Sequence, residues 1–240
     1  MDNITHGLAG MLMADVAVQT VARRSARAVS PRFRRAAVLL GIVAAEFPDS
    51  DLVYSGPLVN MGPLGYLLHH RGHTHTLLWA SVSAIVLWFG ARWWVRRGDG
   101  VDRATSGGVL LALAFAGTWS HLLLDWTNSY GVHPFWPFDN RWYYGDAVFI
   151  VEPWLWIVAI PPLLFGARTR GGRVVLSLLG VGILLASWFT GQVAREPAIA
   201  LTVAAAVWMG VQWWMHRARS SSIGSGSDRS VARPWSGVAV

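Results

Sequence analysis

The sequence predicts an all-α fold: a polytopic transmembrane helical bundle of about five to seven membrane segments, each near the roughly 20 apolar residues that a bilayer crossing requires, with a polar metal-binding mouth on the non-cytoplasmic side. Three observations lead there. Of the 240 residues, 53% are hydrophobic and 14% are charged, whereas a water-soluble domain is about 25% charged. The arginines are segregated into alternate connections between apolar runs. Histidines and carboxylates gather beside those runs, where an ionisable group is costly unless it pairs, reaches water or binds metal.

Taken in order, residues 4–22 have the length of a crossing but contain His6, Asp15 and Gln19. Residues 36–47 form a shorter apolar run, a length that also suits a buried or re-entrant helix. Residues 76–95 (TLLWASVSAIVLWFGARWWV) are the clearest span, interrupted only by Arg92. Residues 107–126 are apolar until Ser120, His121 and Asp125. Residues 148–166 carry Glu152-Pro153 near their start and Pro161-Pro162 late. Proline inside a membrane helix predicts a kink or a local break. Residues 173–193 and 198–215 follow, with residues 194–197 read as the turn of a tight helical hairpin. Trp93, Trp94, Trp213 and Trp214 sit near helix ends and read as interfacial anchors. The tail is rich in serine and glycine, which predicts disorder. The chain thus divides into residues 1–155, which carry the His/Asp set, residues 156–216 with further transmembrane helices, and a disordered cytoplasmic tail at 217–240. The amino terminus lacks a basic region and a small-residue cleavage site, which argues against a removable signal peptide.

Charge asymmetry sets the topology. With all seven segments taken as crossings, residues 23–35, 92–103, 168–173 and the carboxyl tail share one side and hold 17 of the 20 arginines. That side is cytoplasmic by the positive-inside rule, which places the carboxyl terminus in the cytoplasm. The other side holds 9 of the 13 acidic residues and seven of the eight histidines, all but His216. The net charge of +7 is therefore read as helix orientation, and no nucleic-acid partner is expected. The expected partners are membrane lipids and a small-molecule or lipid substrate.

Cysteine is absent, so any metal centre must use His, Asp, Glu or backbone oxygen. Residues His121 and Asp125 lie at i and i+4, on one helix face with Cβ atoms about 5–6 Å apart. That spacing suits two ligands of one ion, or an ordinary His–Asp hydrogen bond. His69, His70, His73 and His75 fall within seven residues just before a span. A turn there, eased by Gly72, can fold several imidazoles onto one centre, or can be a surface turn. Arg71 suits a phosphate or carboxylate group of a substrate. Asp49 and Asp51 end an apolar run, where two carboxylates can flank divalent ions or simply be solvated. Asp146 can cap a span, and Glu152 needs a partner if it is buried. No Walker loop, Gly-x-Ser-x-Gly elbow or dinucleotide fingerprint occurs.

The ordered combination Asp2, Thr5, His6; Pro48, Asp49, Asp51; His70, Arg71, Gly72, Thr74, His75; His121, Asp125, Thr127, Tyr130, Gly131; Pro137, Phe138; and Asp146, Phe149, Ile150, Glu152, Pro153 resembles the YdjM-type bacterial inner-membrane proteins. The resemblance covers roughly residues 1–155. That family is described as metal-dependent hydrolases, distantly similar to zinc-dependent phospholipase C and the S1/P1 nucleases. The resemblance implies an inner-membrane location and a divalent metal, Zn²⁺ being the expected one. It implies His6, Asp49, Asp51, His70, His75, His121 and Asp125 as ligands, with Asp49, Asp51 and Asp146 bridging ions or acting as base and Arg71 steadying substrate charge. Those relatives commonly carry Asp where this chain has Glu152.

The expected function is hydrolysis of an ester or phosphoester of a lipid or envelope component by metal-activated water. The competing expectation is a metal transporter or sensor, for which Asp15 is the candidate deep in a span.

Overall fold

A computed structural model describes residues 1–24, 29–52, 70–97 and 103–225; His69 lies outside them. Seven α-helices occur among these residues: α1 (Asn3–Arg24), α2 (Pro31–Glu46), α3 (Leu77–Arg96), α4 (Arg103–Trp126), α5 (Pro153–Gly166), α6 (Arg170–Phe189) and α7 (Arg195–Ser225). A 3₁₀ turn over Phe47–Asp51 follows α2. The one β pairing among the described residues is an isolated bridge between Val132 and Tyr143. Four helices are long and apolar enough to cross a bilayer: α3, α4 from Ser106, α6, and α7 to Ala218, with α5 a shorter apolar helix. The chain divides into two compact units, Met1–Glu152 and Pro153–Val240.

In the first unit, α1 to α4 alternate in direction, and each start has a local cause. The Asp2 carboxylate accepts from the Thr5 backbone N–H at 3.0 Å and opens α1. Ser30 accepts from Phe33 N at 3.1 Å and Pro31 occupies the first turn of α2, where its missing N–H costs nothing. The second run is therefore a 16-residue helix that starts five residues before the apolar stretch. Thr76 accepts from Trp79 N at 3.1 Å and opens α3.

Small residues let these helices close on one another. The core combines Ala14, Ala17 and Val18 of α1, Phe33, Ala36 and Ala37 of α2, Ala84 of α3 and Leu110 and Ala114 of α4. A Cβ at Gly10 would collide with the Gly41 carbonyl, and one at Gly41 with that of Gly10. A Cβ at Gly117 would meet the Ala44 methyl at 2.6 Å. Backbones this close gain dispersion contacts that larger side chains would forbid.

In the second unit, α5 packs on both α6 and α7. It starts at Pro153 rather than at residue 148, because the residue before a proline avoids helical dihedrals. Glu152 is thus half-buried ahead of the helix rather than inside an apolar span. Of the expected kink or local break at Pro161-Pro162, the break does not occur, and the helix runs through to Gly166. Pro162 leaves the Val158 carbonyl without its helical donor, and Trp208 Nε1 donates to that oxygen at 3.1 Å. The hairpin turn falls at residues 190–194, with Gly191 at φ 71°, and Pro197 sits in the first turn of α7. Helix α7 continues to Ser225, beyond residue 217 where the sequence places the start of disorder. Once a helix is nucleated, each further residue adds a hydrogen bond at small cost. Trp93, Trp213 and Trp214 are exposed, and Arg97 and Arg217 lie over the Trp93 and Trp213 rings at 3.6 and 4.2 Å.

A Gly41→Leu variant is expected to lose about 1–3 kcal/mol or more through overpacking, read as a lower unfolding temperature in mild detergent. Gly90→Ala, where an added Cβ meets open space, should match the parent.

Candidate metal centre

The polar residues meet where four helix ends of the first unit converge: the start of α1, the turn after α2, the turn before α3 and the last turn of α4. Pro48 cannot donate a helical hydrogen bond, so α2 tightens into the 3₁₀ turn that buries Asp49 and Asp51. Before α3, the left-handed residue is Arg71, at φ 62°, rather than Gly72. This conformation is uncommon for a side-chain-bearing residue. It is held by the Asp51 carboxylate, which accepts the Arg71 backbone N–H at 2.8 Å. His121 and Asp125 lie on the inward face of α4, both fully buried.

Two overlapping groups of ligand atoms result: Asp49, His75, His121 and Asp125, and Asp49, Asp51 and His70, each within 4.8 Å. Asp49 is common to both. In the first group His75 Nε2 lies 3.1 Å from His121 Nε2 and 3.1 Å from Asp125 Oδ2. His121 Nε2 lies 3.4 Å from both Asp49 Oδ1 and Asp125 Oδ2. His75 Nε2 lies 3.3 Å from Asp49 Oδ1.

The surrounding hydrogen bonds decide where the protons sit. His121 Nδ1 is 2.5 Å from the Ala45 carbonyl. That oxygen can only accept, so Nδ1 carries a hydrogen, and in the neutral ring Nε2 presents a lone pair. Thr74 Oγ1 donates to Asp51 Oδ2 at 2.8 Å, so toward His75 Nδ1, at 3.0 Å, it accepts. In the neutral ring His75 Nε2 therefore also presents a lone pair. Asp125 Oδ1 takes Arg71 Nη2 at 2.9 Å and the α-amino group of Met1, while Asp125 Oδ2 and Asp49 Oδ1 are buried without a hydrogen-bond donor.

With both rings neutral, four lone-pair atoms face one point; as an imidazolium, either ring would instead donate to Asp49 or Asp125. A proton could bridge two of these atoms; a divalent cation can meet all four. Five of their separations, 3.1–3.4 Å, match the ~3.3 Å edge of a tetrahedron whose ligands lie about 2.0 Å from a zinc-sized ion. The two imidazoles and two carboxylates also form the nitrogen/oxygen set such an ion takes. The residues fit the group.

Asp51 has both oxygens engaged. Oδ1 faces His70 Nδ1 at 3.1 Å, and Oδ2 accepts from Arg71 N and Thr74. Burial opposes its ionisation, but the hydrogen bonds from His70 and Thr74 and the nearby His75 hold its carboxyl below the usual range. Burial likewise opposes ionisation of Asp49, and contacts with His121 and His75 outweigh it.

His6 is fully buried, stacks on His121 at 3.7 Å between ring centroids and places Nε2 3.4 Å from Asp125 Oδ1, yet it belongs to neither ligand group among the described residues. Arg71 corrects its sequence reading. Its side chain is 4% exposed and serves Asp125, the Gly131 carbonyl at 3.0 Å and the Tyr130 ring rather than a group arriving from solvent. Asp146 is exposed at φ 47° and is in neither group, because the connection after α4 carries it away from the buried cluster. His73 is exposed and packs on Trp136.

Sequence reasoning assigned no role to the Ala45 carbonyl, to Asn128, which accepts from Tyr130 N and Gly131 N at 2.8 and 3.2 Å, or to His133, bonded to the Gly72 carbonyl. Thr74 entered only as part of the resembling string. Backbone carbonyls have no sequence signal, and Asn or Thr in a turn has many.

No solved structure matches the chain. It is 27% identical over 179 residues to inner membrane protein YbcI of Escherichia coli (strain K12), covering 74% of this chain and 83% of that protein. The family model described as YdjM inner membrane protein matches residues 1–219, which extends past the first unit into the helices of the second. An all-helical chain with four apolar helices of crossing length and a buried His/Asp group that could hold a metal ion therefore belongs to the YdjM inner membrane protein family.

Proposed function

We propose that this membrane protein is a metal-dependent hydrolase acting on an ester or phosphoester of a lipid or envelope component. The observation that carries the reading is the gathering of two imidazole nitrogens and two carboxylate oxygens, from Asp49, His75, His121 and Asp125, within 4.8 Å of one another. When bound, a Zn²⁺-type ion would supply a Lewis acid for the ester or phosphoryl oxygen and water acidified towards neutrality.

The chain's own residues supply the rest. Asp49, His75, His121 and Asp125 would hold the ion. Asp49, at 9% the most exposed of the four, marks the side from which water and substrate enter. Shared with Asp51 and His70, Asp49 is also the residue suited to bridging a second ion or taking a proton from water. Asp51 and Thr74 orient the turn, Arg71 pins Asp125, and His6 covers the His121 ring.

The arginine distribution supports an orientation as well. Arg23, Arg24 and Arg96 end α1 and α3, opposite the centre. The centre then faces the non-cytoplasmic side and the carboxyl terminus the cytoplasm. Asp15, the residue a transport path would need, is exposed and takes a hydrogen bond from Gln19 at 2.6 Å, so the hydrolase reading is preferred.

Protein extracted in mild detergent should contain a divalent metal by elemental analysis, and metal-depleted protein should recover phosphodiesterase or phosphatase activity on addition of Zn²⁺. His121→Ala should lose both; full metal content and activity in that variant would overturn the assignment. Thr74→Val removes the acceptor that sets the His75 proton and should weaken metal affinity about 10–100-fold in a chelator competition, with Thr74→Ser retaining it. Protons compete with metal for imidazole lone pairs, so occupancy should fall as the pH is lowered from about 7 to about 4, through the histidines rather than through Asp49 and Asp51, whose carboxyls are held below the usual range. Occupancy independent of pH over that range would contradict histidine ligation.

A further inference from the structure

The connection from α4 to α5, residues 127–152, is far longer than most connections in compact domains, and it is ordered by its own backbone bonds. Gly145 N donates to the Trp126 carbonyl at 2.6 Å, Ala147 N to that of Thr127 at 2.9 Å, and Val132 and Tyr143 exchange bonds of 2.9 and 2.8 Å. It also frames the metal centre. Leu77 N, at the start of α3, donates to the Pro134 carbonyl at 2.9 Å, and Asp2 N to that of Ile150 at 2.9 Å.

This ordered connection leaves large apolar side chains uncovered. Phe138 is 88% exposed and Phe149 81%, with Tyr144, Ile150 and Val151 also exposed. Its charges at the tip are matched: Arg141 and Asp139 form an ion pair at 2.7 Å. The apolar surface continues from the membrane helix itself. On α4, Trp119, Leu123 and Trp126 are exposed at i, i+4 and i+7, the face opposite His121 and Asp125, and this stripe ends where the connection begins.

We propose that residues 133–151 lie in the bilayer interface beside the metal centre, so that the centre receives a lipid headgroup from the membrane surface rather than a soluble ester. The occupant of the exposed face is the bilayer. Aromatic side chains at headgroup depth are the usual anchors of membrane proteins, an internally bonded backbone lowers the cost of leaving water, and a span that ends at Trp126 fixes the height of the connection. The claim about substrate rests on the hydrolase reading; the claim about the bilayer does not.

Because the chain has no cysteine, single labels can be placed cleanly. An environment-sensitive fluorophore on Phe138→Cys or Phe149→Cys, in full-length protein reconstituted into phosphatidylglycerol/phosphatidylethanolamine nanodiscs, should emit as in an apolar medium. It should be quenched by lipids carrying a nitroxide near the headgroup and shielded from aqueous iodide. Iodide quenching without lipid quenching would overturn the proposal. So would shielding from both quenchers, which would mean that protein covers the face. For the metal-loaded protein, a Phe138→Asp/Phe149→Asp double variant should lose turnover of a bilayer phospholipid and keep turnover of a soluble phosphodiester. Equal loss of both, or of neither, would overturn the substrate claim. Lipid-quenched labels on a protein that hydrolyses neither compound would sink the hydrolase reading and leave the bilayer contact standing.

Discussion

Two imidazole nitrogens 3.1 Å apart, each on a ring whose other nitrogen is turned to a hydrogen-bond acceptor, form the constraint on which the first unit is built. The arrangement depends on groups from separate parts of the chain. The Ala45 carbonyl near the end of α2 holds the proton of His121 outward, Thr74 does the same for His75, and Arg71 occupies the far oxygen of Asp125. Together with the Asp49 and Asp125 oxygens, the two nitrogens form a compact nitrogen/oxygen set whose negative charge is balanced by protons on the imidazoles or by a cation among them. A buried polar cluster that merely satisfied itself would alternate donors with acceptors. This one does so around Asp51 and Thr74, and stops doing so at its centre.

Holding such a centre requires helices that cannot drift. The close approach of α1 and α2 at Gly10 and Gly41, and of α4 to α2 at Gly117, provides it. These contacts place the Ala45 carbonyl against His121, so the packing of small residues and the proton position on an imidazole are one structural fact. Stiffness matters because a metal centre tolerates misplacement of only about 0.5 Å. Helix α4 shows the division of labour along a single element: Thr118, His121 and Asp125 face inward and fully buried, while Trp119, Leu123 and Trp126 face outward.

Legibility in the sequence varied with the kind of physics involved. His121 and Asp125 were readable because helical periodicity puts i and i+4 on one face whatever the fold. The gathering of His6, Asp49, Asp51, His70 and His75 was readable because arginine asymmetry orders the crossings, and antiparallel helices return each polar end to the same place. Arg71 was legible as an important residue but not as one directed inward onto Asp125, since the direction follows from a left-handed backbone that no local sequence signal announces. Asp146 looked equivalent to the other carboxylates and stands apart, because the connection after α4 makes its own turns. The helix through Pro161-Pro162 continues because a tryptophan of α7, distant in sequence, supplies a donor near the gap.

By itself, then, the amino-acid sequence determined the helical membrane class, the order of apolar segments and the set of side chains able to meet at one end, because hydropathy, charge bias and helical period are properties of short windows. Only the tertiary structure decided which of those side chains share one point, that Asp49 is common to both ligand groups, and which nitrogen of each histidine faces inward. The reason is geometric. The orientation of His121 is set by the Ala45 carbonyl, a backbone atom distant in the chain and of a kind that every residue carries, and that of His75 by the adjacent Thr74, whose hydroxyl is in turn held by the distant Asp51.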